Sequence, residues 1–157
     1  MVCMSAVSAV TDLILEVFQL NGRLLAAGDT LVRDLGLTSA RWQVLGAAAM
    51  SPVPLPVAYI ARNMGLTRQS VQRIVNDLEA QGTVTLEPNP HHQRAKLVVL
   101  TERGRTLFAE ATARQRPWAA KLSDGLDEGA LQDAGSLLRE LRGRLNGPSE
   151  QGEEDEA

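Results

Sequence analysis

Apolar side chains recur at steps of three and four along the start of the chain: Val7, Val10, Ile14, Val17, Leu20 and Leu24. That period predicts one long helix over residues 5–28. Leu13, Phe18 and Leu25 widen its apolar face, and so broad a face calls for a partner beyond its own domain. Gly28-Asp29 reads as its end. Thr38-Ser39 reads as the N-cap of a second helix that runs through Trp42 and Val44 to about Ala49. Ser51 to Pro56 is a proline-rich connector, and Pro56 suits the first turn of a third helix, Val57 to Met64. Gly65 closes that helix as a left-handed cap. Thr67 then caps a fourth helix, which Gly82 ends. At 100° per residue its Val71, Ile74, Val75 and Leu78 fall within about 100° of arc. Gln69, Gln72, Arg73 and Asn76 stand on the opposite face, with Arg68 and Ser70 flanking them in the first turn.

After Gly82 the period shortens to two. Thr83-Val84-Thr85-Leu86 alternates polar and apolar, and Lys96-Leu97-Val98-Val99-Leu100 is β-branched and apolar, so both read as strands. The turn-rich stretch Glu87 to Arg94 joins them into a hairpin with a long tip. Thr101 caps a fifth helix that extends to about Leu122, bent or interrupted at Pro117. A sixth spans roughly Asp127 to Leu145, carrying Leu131, Leu137, Leu138, Leu141 and Leu145, and Gly147-Pro148 stops it. The acidic remainder is expected to be disordered.

Composition narrows the function classes. At 157 residues the chain suits one domain, or a small domain with a dimerisation arm. Cys3 is the sole cysteine, which excludes an internal disulfide and a Cys₂His₂ or Cys₄ zinc site, and fits a reducing compartment. Trp42 to Ala61 carries no charge, but Pro52, Pro54 and Pro56 break any membrane span there. The first basic residue is Arg23, so no secretory signal is read and a cytoplasmic setting is expected. Net charge is −3, yet five acids lie in the last eight residues; without them the balance is +2, from 16 basic and 14 acidic residues. Between Arg62 and Arg105 seven basic residues face four acidic ones, a concentration of the kind a nucleic-acid footprint needs, although charge alone favours a solvated mixed-charge surface.

Two helices joined by the tight turn Gly65-Leu66-Thr67 and followed at once by a hairpin form a winged helix-turn-helix, a mainly α fold with a small β-hairpin wing. The second of these helices enters a DNA major groove, which needs one apolar and one hydrogen-bonding face. Arg pairs with guanine and Gln or Asn with adenine, so Arg68, Gln69, Gln72, Arg73 and Asn76 form a candidate reading face. Thr67 and Ser70, at the helix start, are placed to bind phosphate. Arg94 at the wing tip suits a narrow minor groove and Lys96 a phosphate. His91-His92 is a poor chelate at a flexible tip and reads as loop histidines near phosphate; Cys3 has no basic neighbour in sequence to activate it. No metal site, cofactor or catalytic residue is assigned: there is no nucleophile–base pair and no Gly-rich phosphate loop.

Gly36 to Leu45 resembles the second-helix signature of the MarR family of transcriptional regulators. Gly65 to Val71 resembles that family's turn and recognition-helix start, Leu78 to Gly82 its recognition-helix end, and Arg94 to Gly104 its wing and following helix. One departure stands out: where the family commonly carries Asp-Pro-x-Asp-x-Arg, this chain has Asn89-Pro90-His91-His92-Gln93-Arg94, losing the aspartate that would steady the arginine. The resemblance implies a homodimer built by N- and C-terminal dimerisation helices, binding double-stranded DNA at a pseudo-palindromic operator. It also implies a repressor released by a small aromatic or phenolic effector, with Phe18, Arg41 and Trp42 near the pocket. The corresponding organisation is 1–34 dimerisation helix and connector, 35–104 DNA-binding domain, 105–147 dimerisation helices and 148–157 acidic tail. The alternative is a winged-helix module that binds protein; a polar Gln, Arg and Asn face speaks against it.

Overall fold

The computed structural model describes residues 4–145, so Cys3 and the acidic tail lie outside the described residues. The described chain divides into two compact units, the first ending at Pro117 and the second starting at Trp118. The first unit holds α1 (Met4–Val32), a 3-10 turn (Arg33–Leu35), α2 (Ser39–Met50), β1 (Leu55–Pro56), α3 (Val57–Met64), α4 (Arg68–Ala80), β2 (Val84–Glu87), β3 (Leu97–Leu100) and most of α5 (Glu102–Ser123). Its core is aliphatic: Val32, Val44, Leu45, Ile60, Val71, Val75, Leu78, Val84 and Val98 are buried, with Trp42, Ile74, Leu107 and Phe108 packed around them. The chain is thus a mainly helical winged helix-turn-helix.

Local signals set most of these boundaries. Thr38 accepts from Arg41 N at 3.3 Å and caps α2. Thr67 accepts from Ser70 N at 3.1 Å and caps α4. Gly65 sits at φ +65°, where its N–H and that of Leu66 close the end of α3. The hairpin pairs Val84 with Leu100 and Leu86 with Val98, which sends both members of each pair to the core side.

Four expectations are corrected. Gly28 does not end α1, which continues to Val32. Its missing side chain instead admits α2: a Cβ there would meet Ser39 Oγ at 2.3 Å. Ser39 N donates to Asp29 Oδ1 and Ser39 Oγ to Leu25 O, both at 2.6 Å, so this pair of residues docks the second helix rather than terminating the first. Second, Pro56 is the N-cap of α3, and with Leu55 it forms a short strand that pairs with β3, Leu55 opposite Val98 and Pro56 opposite Leu97. The sheet is therefore three-stranded, in the order β1-β3-β2. Third, Thr83 precedes its strand; it is buried, with its hydroxyl donating to Leu78 O at 2.9 Å. Fourth, α5 passes through Pro117 without interruption. Pro117 and Ala113 are exposed, so the carbonyl that the proline leaves without an N–H faces solvent.

The second unit contains the end of α5 and α6 (Glu128–Leu145). Asp127 accepts from Ala130 N at 2.8 Å and caps α6. Leu131, Leu137 and Leu138 on α6 are exposed.

Candidate nucleic-acid interface

The outward face of α4 follows from its inward one. Val71, Val75 and Leu78 are fully buried, which fixes the rotation of the helix about its axis. Arg68, Gln69, Gln72, Arg73 and Asn76 then line one open hollow on the outer side. Two of these side chains are tied together, Gln72 Nε2 donating to Asn76 Oδ1 at 2.9 Å. Thr67 is occupied twice, accepting from Ser70 N and donating to Ser70 Oγ at 2.8 Å. Of the two hydroxyls, Ser70 keeps a proton to offer outward. The N–H groups of Arg68 and Gln69 precede any acceptor within the helix, so this end presents donors and a positive dipole to an anion.

At the wing, Arg94 and Lys96 are exposed, and among the described residues Arg94 makes no ion pair. Asn89 folds the tip locally: its Oδ1 accepts from His91 N at 3.0 Å, and turns from Asn89 to His92 and from His92 to Ala95 follow. The tip is folded by uncharged bonds, leaving the arginine charge uncompensated. His91 and His92 are exposed there, and no group of three metal-binding side chains occurs among the described residues.

The residues assigned to an effector are not all together. Trp42 packs on the core as a half-buried side chain. Arg41 beside it is bound to Asp77 of α4 at 3.1 Å, a link between α2 and α4. Phe18 is 69% exposed, ten residues before the Gly28 crossing and so about 15 Å along α1. Sequence reasoning missed Asp77, which lies 36 residues from its partner with no local signal. It also missed the Gln72–Asn76 bond, for which the four-residue spacing was the available sign.

Helix, glycine turn, polar-faced helix and basic-tipped hairpin define a winged helix-turn-helix protein. The chain belongs to the MarR family: the family's model matches residues 35–95, and relatives in sequence and in fold extend over more of the chain. Rv2011c of Mycobacterium tuberculosis, an uncharacterized protein, is 38% identical over 132 residues, 84% of this chain and 91% of its own. The transcriptional activatory protein BadR of Rhodopseudomonas palustris is 30% identical over 98 residues, covering 61% of this chain and 56% of BadR. Among solved structures, CouR from Rhodococcus jostii RHA1, bound to p-coumaroyl-CoA, superimposes with a TM-score of 0.75 at 25% identity, over 83% of this chain and 91% of CouR. The protein is a transcriptional regulator, and no helix among its described residues is long and apolar enough to cross a membrane.

Proposed function

We propose that the chain is a sequence-specific DNA-binding regulator that works as a homodimer on a pseudo-palindromic operator. The observation that carries this is the single outward hollow shared by Arg68, Gln69, Gln72, Arg73 and Asn76, opposite a fully buried aliphatic face. With α4 in the major groove, Arg73, Gln69 and Gln72 meet base edges, with Asn76 bonded beside Gln72. Ser70 and the N–H groups at the start of α4 meet phosphate, with Thr67 holding the Ser70 hydroxyl in place through its own proton. Arg94 enters the minor groove and Lys96 contacts the backbone beside it. Self-association is supported by the exposed apolar face of α1 and, separately, by the exposed leucines of α6. Residues 1–34 and 105–147 accordingly serve dimerisation and 35–104 serve DNA.

The regulation proposed is repression lifted by a small aromatic or phenolic molecule, a reading supported by the aromatic acyl thioester held by CouR. Phe18, Arg41 and Trp42 are the residues assigned to it. BadR, named an activator, favours the opposite sign of control as the second reading. The test is a gel shift of the full chain on the DNA upstream of its own gene over a range of salt. Binding that falls steeply with salt, as phosphate contacts release counterions, is expected. A folded dimer that binds no duplex at low salt overturns the proposal.

A further inference from the structure

We infer that Gln72 reads an adenine and that Asn76 acts on it as a positioning residue, which consumes one of its two amide donors; this rests on the DNA-binding reading above. A glutamine amide has one acceptor oxygen and two N–H donors. The 2.9 Å bond from Gln72 Nε2 to Asn76 Oδ1 engages one of those donors. What remains for a base is Oε1 and a single N–H. In the major groove adenine offers one donor, its N6 amine, and one acceptor, N7, so it satisfies both. Guanine offers two acceptors, O6 and N7; one of them then faces Oε1, acceptor against acceptor. Thymine and cytosine each satisfy one of the two groups. An untethered glutamine has both donors available and tolerates guanine. The tether therefore converts a permissive side chain into a selective one.

The position supports the role. Gln72 is half-buried on the outer side of α4 while Asn76, one turn on, is exposed, so the bond holds the glutamine along the helix surface and facing the shared hollow. A long polar side chain held before binding loses less rotamer freedom on binding. Gln69 has no such partner among the described residues, and is expected to discriminate less.

The experiment selects preferred duplexes from a random pool with the full-length chain, then measures binding to the selected site and to variants carrying guanine or 7-deazaadenine at each adenine. The wild-type protein is expected to lose roughly tenfold or more at one adenine per half-site for either change, and Gln72→Ala to lose that distinction. Asn76→Ala should shrink the adenine-over-guanine ratio at the same position several-fold, with its salt dependence unchanged. Asn76→Asp keeps an acceptor for Gln72 and should keep the ratio even as its added charge weakens all binding. An unchanged ratio in Asn76→Ala, or an equal loss on every sequence, overturns the inference alone. Failure of the wild type to select any duplex overturns the DNA-binding reading together with it.

Discussion

Helices α1 and α4 are both amphipathic, and both leave one face uncovered in a single chain, but the two faces differ in kind. On α4 the uncovered face is Arg, Gln and Asn; on α1 it includes Val7, Val10, Ile14, Val17, Phe18 and Leu20, all more than a third exposed. Water satisfies the first at no cost. On the second, each large apolar side chain forgoes a share, set by its exposed fraction, of the about 1.5–3 kcal/mol that full burial gains. The contrast separates two partners by chemistry: hydrogen-bonding groups at a fixed spacing suit base edges, and a long apolar stripe suits another protein surface such as a second copy. It also predicts that the two faces fail separately.

The largest effect is expected on α1. Val10→Asp with Ile14→Asp puts two charges on the stripe and should raise the dimer dissociation constant at least about 100-fold, read by sedimentation equilibrium. A dimer that survives this change breaks the comparison. Next comes the frame that holds both faces: Gly104 lies against the backbone of Thr83, where a Cβ would meet the carbonyl oxygen at 2.0 Å. Gly104→Ala should cost about 2–3 kcal/mol in urea unfolding, because the added methyl meets backbone and not the end of a flexible side chain. On α4, Arg73→Ala should relax specificity and cost roughly 1–3 kcal/mol on the preferred site, leaving dimerisation untouched. Arg94→Ala should weaken binding to most sequences alike.

Two smaller effects sharpen the account. The Arg41–Asp77 pair is partly exposed, with side chains at 28% and 49%, so Arg41→Ala should cost no more than about 1 kcal/mol in stability. Any larger loss of DNA affinity in that variant reports the orientation of α4. At the other end, Arg114 of α5 bonds Asp34 and the carbonyl of Leu31. Its hydrogen bond holds the Asp34 carboxyl below the usual carboxylate range. A carboxyl depressed in the folded state stabilises above its unfolded value, about 3.9, and that share is lost as pH falls through the lower folded value. The stability difference between wild type and Arg114→Ala, measured by urea unfolding, should therefore be constant near neutrality and shrink below about pH 4.

What the sequence made legible was local. Thr38, Thr67, Gly65 and Thr101 announce helix ends through bonds that span three or four residues, and the 3.6-residue period of Val71, Val75 and Leu78 fixes the face of α4. The misreadings share a different cause. Leu55–Pro56 becomes a strand only because β3 lies beside it, some forty residues on, and two residues carry no period of their own. Gly28 has the composition of a helix stop, yet its use is decided by Ser39 packing on it. Arg41 was legible as a charged residue on α2, but its partner Asp77 was not, since the distance between them closes only on folding.

Chemical interference on the operator tests the central claim most directly. Methylating guanine N7 places a methyl group in the major groove, where the outward face of α4 is assigned. Two patches of interference are predicted, centred about one helical turn apart on one side of the duplex, both fading in Arg73→Ala. Bound DNA that shows no such patches would contradict the assignment of that face to base reading.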